Sequence, residues 1–120
     1  MCIIEVEGLT KYYGKSRGIV DVSFGVEQGE IFGFIGPNGA GKSTTIRLLL
    51  GLIRANSGTA EVFGADVRRG KRAILSDIGY IPSEASYYPG MRVSDALRMS
   101  SRLRKMDCAR EARRICGELS

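Results

Sequence analysis

The chain has 120 residues, 43% of them hydrophobic and 26% charged, which is typical of one folded domain rather than a disordered segment. It carries 18 lysines and arginines against 13 acidic residues, for a formal net charge of +5, and it contains no histidine. The missing histidine excludes a Ser-His-Asp or Cys-His catalytic device within this chain, and any zinc site that uses imidazole.

The cysteines and the hydropathy of the chain predict the cellular environment in which it folds. Cys2, Cys108 and Cys116 form no CxxC motif and are too few for a disulfide framework, so we expect a reducing, intracellular environment. The first residues lack the basic start and apolar core of a signal peptide, and no apolar run is long enough to cross a bilayer. We therefore expect a soluble chain that reaches a membrane only through a partner.

The first part of the chain has the alternation of strands. Residues 3–9 alternate apolar and acidic side chains, which predicts a half-buried strand. Residues 19–26 alternate again and place four apolar side chains on one face: Val20, Val22, Phe24 and Val26. Residues 31–35 are apolar throughout, which predicts a strand buried on both faces, as in a parallel sheet covered by helices.

The later elements mix helices and short strands. A helix over 42–50 ends at Gly51, a strand over 59–63 ends at Gly64, and a basic stretch over 67–75 predicts a short helix. Residues 78–81 predict another short strand, which Pro82 ends. From Val93 the pattern becomes helical, and a second helix follows Asp107. One face of the first of these helices is expected to hold Val93, Ala96, Leu97, Ser100, Leu103 and Met106.

Residues 36–43, GPNGAGKS, match the phosphate-binding loop pattern G-x-x-x-x-G-K-[ST]. Its glycines let backbone N–H groups converge on an anion, and the following helix adds its positive N-terminal end. Lys42 is predicted to bind the β- and γ-phosphates, Ser43 to bind Mg²⁺ and Thr44 to make a further phosphate contact. The predicted nucleotide-binding residues of the loop are Gly36, Pro37, Asn38, Gly39, Ala40 and Gly41.

A chance glycine-rich turn is the alternative, but average residue usage predicts such a match in only about a few chains per thousand. The strand before the loop and the helix after it favour phosphate binding further.

Hydrolysis, however, also needs a second Mg²⁺-holding carboxylate after a buried strand. The nearest candidate, AILSD at 73–77, is interrupted by Ser76 and precedes a strand, so we predict no catalytic residue within this chain.

Together these segments resemble the nucleotide-binding domain of an ABC transporter, over essentially the whole chain. The resemblance is carried by EGLTKYYG at 7–14, VSFGVEQGEI at 22–31, the phosphate loop, LLGLI at 49–53 with Ser57-Gly58, and IGYIP at 78–82. It implies an α/β fold: a P-loop NTPase (RecA-like) core with an N-terminal antiparallel β-subdomain and the start of a helical subdomain. Residues 1–120 would be a partial domain, with the β-subdomain and core over 1–90 and the helical start over 91–120.

The resemblance also assigns roles to two positions. Tyr13 corresponds to the aromatic residue on which adenine stacks, and the alternative is that Tyr12 or Tyr13 only packs at a strand end. After Pro82 the family usually has a glutamine that reaches Mg²⁺, whereas this chain has Ser83 followed by Glu84. Three interpretations stay open: Glu84 replaces the glutamine, a water bridges from Ser83, or Glu84 is a solvated loop acid.

The family's signature loop, its Asp and catalytic Glu, and its switch His have no counterpart here, so the chain resembles roughly the first half of such a domain and looks truncated. The resemblance implies a cytoplasmic ATP-binding subunit that binds ATP and Mg²⁺, pairs with a second nucleotide-binding domain and powers a transmembrane permease. The alternatives are a nucleotide-binding fragment that does not hydrolyse ATP and a P-loop kinase or GTPase, although the guanine-reading Asn-Lys-x-Asp pattern is absent.

The C-terminal segment over 98–114 is strongly basic, with seven lysines and arginines against Asp107 and Glu111. Such a segment is either a contact for nucleic acid or anionic lipid, or the solvated face of two helices. In the resembling family this region faces the membrane partner. Because no aromatic residue separates the basic ones, we do not expect nucleic acid as a partner.

Overall fold

The computed structural model describes residues 2–37, 39, 41–82 and 87–119. It divides into two compact units, Met1–Gly79 and Tyr80–Ser120, which are described separately. The first contains an antiparallel sheet and two helices. The second contains a pair of helices.

The sheet has four strands: β1 (Cys2–Tyr13), β2 (Ser16–Glu27), β3 (Ser57–Val62) and β4 (Ala65–Asp66). Their order is β2-β1-β3-β4, and every pairing is antiparallel. A two-residue turn joins β1 to β2, and Gly14 takes the positive φ of 57° that this tight connection needs. The expected N-terminal antiparallel sheet is thus confirmed.

The predicted inner face of β2 is wrong at one position. Val20 is 36% exposed, whereas its neighbour Ile19 is 4% exposed and belongs to the core. Leu9 pairs with Val22 while Lys11 pairs with Ile19, so β2 has one extra residue at this point. Asp21 absorbs this bulge with a φ of 51°, and a bulge moves the following side chains to the other face.

The first helix, α1 (Lys42–Leu49), begins and ends close to its predicted bounds. At its end Gly51 has a φ of 68°, and its N–H donates to the Leu48 carbonyl oxygen while that of Leu52 donates to Arg47. This pair of hydrogen bonds is a Schellman C-terminal cap, as the glycine predicted. The core joins α1 to the sheet through Val6, Leu9, Ile19, Leu48, Leu49, Ala60, Val62, Val67 and Ile74.

The second helix, α2 (Lys71–Ser76), is shorter than the predicted 67–75. Val67 donates its N–H to the carbonyl oxygen of Ala60 in β3, so it is bonded to the sheet instead of to a helix. The Asp66 carboxylate accepts the N–H of Arg68 and ion-pairs with its guanidinium. These bonds hold residues 67–70 in a turn. Strand β3 likewise ends before the predicted 63, because Phe63 has a φ of 53°.

The strands predicted over 31–35 and 78–81 are also wrong, since neither segment has strand structure. Ile31 and Ile35 are fully exposed, and Ile81 is 91% exposed. A buried parallel strand needs hydrogen-bonded neighbours on both sides, and no pairing to either segment occurs among the described residues. The rings of Phe32 and Phe34 instead pack on Phe24, with centroids 5.2 and 5.3 Å from it.

The second unit contains α3 (Val93–Arg104) and α4 (Ala109–Leu119), which confirms two helices. The Asp107 carboxylate accepts the N–H of Ala109 at the start of α4. The expected apolar face of α3 is only partly covered, since no residue of that helix is fully buried. Within the described segments, no helix has the length and apolar character that a membrane span requires.

Candidate phosphate-binding site

The predicted phosphate loop leads directly into α1, and the structure describes it at 36, 37, 39 and 41. Asn38 and Ala40 lie outside the described residues. Gly39 and Gly41 have φ values of 88° and 100°, which side-chain-bearing residues rarely adopt. Backbone conformation therefore requires glycine at these two positions of the loop.

Gly41 has a second, steric reason to be glycine. A Cβ atom built on it would overlap the Cγ2 atom of Ile19. Ile19 comes from the bulged part of β2 and is buried in the core. The end of the phosphate loop thus packs directly on the sheet, which fixes where α1 begins.

The first three hydroxyl side chains of α1 point to different surroundings. Thr45 is 3% exposed, and both its hydroxyl and its N–H donate to the Gly41 carbonyl oxygen, at 2.8 and 2.9 Å. Ser43 and Thr44 instead line an open cavity. Of the three, Ser43 and Thr44 are the predicted ligand-binding residues, and they line the cavity while Thr45 does not.

Lys42 places its ammonium group against the loop. Its Nζ donates a hydrogen bond to the carbonyl oxygen of Gly36, at the other end of the motif. The first turn of α1 contains no acidic residue. The positive end of the helix and the lysine charge therefore act together on the same space.

The cavity has a volume of about 380 Å³ and joins the phosphate loop to the β1–β2 hairpin. The hairpin contributes Tyr13, Arg17 and Gly18, and α1 with its preceding loop contributes Gly39, Gly41, Lys42, Ser43 and Thr44. No carboxylate stands among these described lining residues. The lining therefore suits an anion with several charges.

Tyr13 lies at the edge of this cavity, where the resemblance requires an aromatic residue. Its hydroxyl is 3.3 Å from Oγ1 of Thr44, and 44% of the residue is exposed. The ammonium of Lys11 lies 5.6 Å from the centroid of its ring. The ring is thus held beside the phosphate loop while part of it remains accessible.

Arg17 also lines the cavity, and sequence reasoning missed it. It stands opposite Tyr12 across the hairpin, four residues after Tyr13. The predicted hairpin could have indicated Arg17, because a tight turn after Tyr13 brings the start of the next strand back beside Tyr13.

Magnesium has one candidate ligand at the described site. The Ser43 hydroxyl lines the cavity next to Lys42, so it fits an ion that is held partly by phosphate oxygens. Glu84, the other predicted candidate, lies outside the described residues. Over the described ranges, no group of three or more Cys, Asp or Glu side chains could hold a metal ion.

A family model described as ABC transporter matches residues 19–119, which is most of the chain. The chain belongs to the ABC transporter family. The match includes the whole phosphate loop, α1 and the helices of the second unit. Curated relatives and solved structures of this family agree with that assignment.

Two curated relatives transport or confer resistance to antibiotics by name. The bacitracin transport ATP-binding protein BcrA of Bacillus licheniformis is 41% identical over 101 residues, covering 84% of this chain and 33% of the relative. The daunorubicin/doxorubicin resistance ATP-binding protein DrrA of Streptomyces peucetius is 40% identical over 116 residues, covering 97% and 35%. The chain therefore spans about a third of the length of these ABC transporter relatives.

A solved ATP-binding subunit of an ABC transporter superposes with a TM-score of 0.78 at 31% identity. The superposition covers 93% of this chain and 47% of that structure. The fold is thus that of ABC ATPase domains, and the chain corresponds to part of one, as the resemblance implied.

Proposed function

We propose that the chain is the nucleotide-binding part of the ATP-binding subunit of an ABC transporter. This part binds ATP and Mg²⁺. The observation that carries this proposal is the cavity that the phosphate loop, the start of α1 and Tyr13 form together. Its lining contains two basic residues and three hydroxyl-bearing residues around a space of about 380 Å³. These are groups that a nucleoside triphosphate with its Mg²⁺ needs.

Each group has a proposed part in binding. The loop N–H groups and Lys42 bind the β- and γ-phosphates, and Thr44 makes a further phosphate contact. Ser43 is a ligand of Mg²⁺, and Glu84 is a second candidate for that ion. The bound Mg²⁺ neutralises phosphate charge. The ring of Tyr13 stacks on the adenine, since a flat apolar face holds a base without a hydrogen-bond donor or acceptor.

We also propose that this chain alone binds ATP without turning it over. The sequence holds a phosphate loop, but after that loop no run of four hydrophobic residues is followed by an aspartate that could be the second Mg²⁺-holding carboxylate. In the assembled transporter, the nucleotide-binding domain would pair with a second such domain and contact a permease at the cytoplasmic face of the membrane. Residues 1–90 and 91–120 would then belong to the core and to the helical subdomain of one nucleotide-binding domain.

Titration of the 120-residue chain with ATP in the presence of Mg²⁺ tests the proposal. We expect saturable binding that weakens at least about tenfold in Lys42→Ala, because a charged hydrogen bond to phosphate is worth about 1.5–3 kcal/mol. Lys15→Ala is the matched control, since Lys15 carries the same charge in the exposed hairpin turn and does not line the cavity. Equal affinities of Lys42→Ala and Lys15→Ala would refute the proposal.

A further inference from the structure

The cavity has a second basic residue that the phosphate-loop motif does not contain. Arg17 lies near the start of β2 and lines the same cavity as Lys42, Ser43 and Thr44. Arg17 belongs to the sheet, whereas Lys42 belongs to α1. The two basic residues of the lining therefore come from different structural elements.

The guanidinium group of Arg17 has no acidic partner in the part of the chain that the structure describes. Ion pairs there join Arg68 to Asp66 and Arg114 to Glu118, and neither involves the hairpin. Many solvent-exposed arginines also lack an acidic partner. Arg17 differs from them because it shares a cavity with the phosphate loop, and the described lining contains no carboxylate.

The position of Arg17 in the cavity indicates which part of a nucleotide it meets. Its neighbour Gly18 packs against the ring of Tyr13, and a Cβ atom on Gly18 would lie 3.1 Å from Cε2 of that ring. The hydroxyl of the same ring reaches Thr44. Lys42, in contrast, bonds to the start of the loop at Gly36. Arg17 therefore flanks the base-binding end of the cavity rather than its γ-phosphate end.

We propose that Arg17 binds the α-phosphate, the phosphate attached to the sugar. This inference rests on the proposed nucleotide function and adds a positioning contact to it. A guanidinium group presents its donors as a planar fork that matches two phosphate oxygens, which an ammonium group cannot do. The contact would fix the nucleotide between the ring of Tyr13 and the loop.

The test compares Arg17→Gln with Lys15→Gln, which removes the same charge from the same hairpin outside the cavity. Affinities for ATP and ADP are measured with Mg²⁺ at fixed salt. We expect Arg17→Gln to weaken both nucleotides by the same factor, because both carry an α-phosphate. The factor should be about threefold to tenfold, smaller than for Lys42→Ala, because Arg17 is exposed and solvent screens its charge. Lys15→Gln should change either affinity less than about twofold. Arg17→Lys should recover part of the loss.

Two results would overturn the inference. One is an Arg17→Gln affinity equal to that of Lys15→Gln, and the other is a clearly larger loss for ATP than for ADP, which would place the contact on the terminal phosphate. The unsubstituted chain and Lys42→Ala separate this failure from failure of the proposed function. If either result occurs while Lys42→Ala binds ATP at least about tenfold more weakly than the unsubstituted chain, the proposed function stands and only the Arg17 assignment fails. If the unsubstituted chain does not bind ATP, both fall. Thermal melting of each variant checks that it folds.

Discussion

The hydroxyl of Tyr13 lies 3.3 Å from Oγ1 of Thr44, so a hydrogen bond joins the end of β1 to the first turn of α1. The two residues are 31 positions apart in the chain. The bond engages a threonine hydroxyl that lines the phosphate site and an aromatic ring that lines it too. Where the Thr44 hydroxyl is the donor, a phosphate oxygen that accepts from it must displace this bond, whereas stacking on the ring face leaves the bond in place.

Tyr13→Phe should therefore bind ATP more tightly, by about twofold to tenfold. The substitution keeps the ring for stacking and removes a neutral hydrogen bond, which contributes about 0.5–1.5 kcal/mol. Fluorescence or calorimetric titration measures the change. Tyr12→Phe is the control, because Tyr12 is equally exposed but does not line the cavity. Weaker binding by Tyr13→Phe would show that the hydroxyl helps to hold the nucleotide.

Tyr13→Ala tests the ring itself. Relative to Tyr13→Phe, which lacks the same hydroxyl, loss of the ring should weaken ATP roughly tenfold, since aromatic stacking contributes about 0.5–1.5 kcal/mol beyond the buried area. Inorganic triphosphate has no base, and its affinity for Tyr13→Ala should stay within about twofold of its affinity for Tyr13→Phe. Competition titrations with both ligands give the two ratios. Equal losses for ATP and triphosphate would rule out adenine stacking on Tyr13.

Phosphate release should show no steady-state ATP hydrolysis by the isolated chain. A phosphate loop positions the nucleotide, but hydrolysis also requires a second carboxylate for Mg²⁺ and a group that orients water. The measured rate should therefore be the same for the chain and for Lys42→Ala. Turnover that disappears in Lys42→Ala would show that this chain needs no other segment for hydrolysis.

The elements that could be predicted from sequence are those whose conformation depends on residues close together in the chain. The phosphate loop is contiguous, and its backbone needs glycine at 39 and 41 whatever packs around it. The cap at Gly51 is local too. Strand β1 was predicted because its alternation matches a sheet with one buried face.

Two wrong predictions, the inner face of β2 and the strand over 31–35, depend on neighbours in other strands. The bulge at Asp21 exists because β2 pairs with β1 around Thr10, whose hydroxyl accepts the Asp21 N–H at 3.0 Å. The apolar run over 31–35 forms a strand only where other strands flank it, and the chain spans about a third of the length of its relatives. Arg17 was missed because only the hairpin brings it to the loop.

The thiol of Cys2 offers a test of local electrostatics. It donates to the carboxylate of Glu27 at 3.2 Å, and this hydrogen bond raises the pKa of the Cys2 thiol above its ordinary value. Because the thiolate is the reactive form, a raised pKa slows alkylation at any pH below it. Glu27→Gln should lower that pKa and speed iodoacetamide labelling of Cys2 near pH 8.

The two rates should converge at high pH, where both thiols are ionised. Peptide mass spectrometry separates Cys2 from Cys108 and Cys116, and Glu7→Gln is the charge-matched control on the same strand. A Glu27→Gln rate equal to that of Glu7→Gln across the pH range would show that the hydrogen bond does not control the thiol.

Gly58 and Gly64 form a matched pair for stability, because both have positive φ values, 84° and 76°. A Cβ atom on Gly58 would overlap the backbone of Gly8 in the adjacent strand, whereas one on Gly64 would meet open space. Gly64→Ala should therefore lower the free energy of unfolding by about 1–2 kcal/mol, the cost of a left-handed conformation. Gly58→Ala should lower the free energy of unfolding by about 1–3 kcal/mol more than Gly64→Ala does, because β1 and β3 must move apart. Urea unfolding measures both changes, and equal losses would show that the strands give way to the added methyl group without cost.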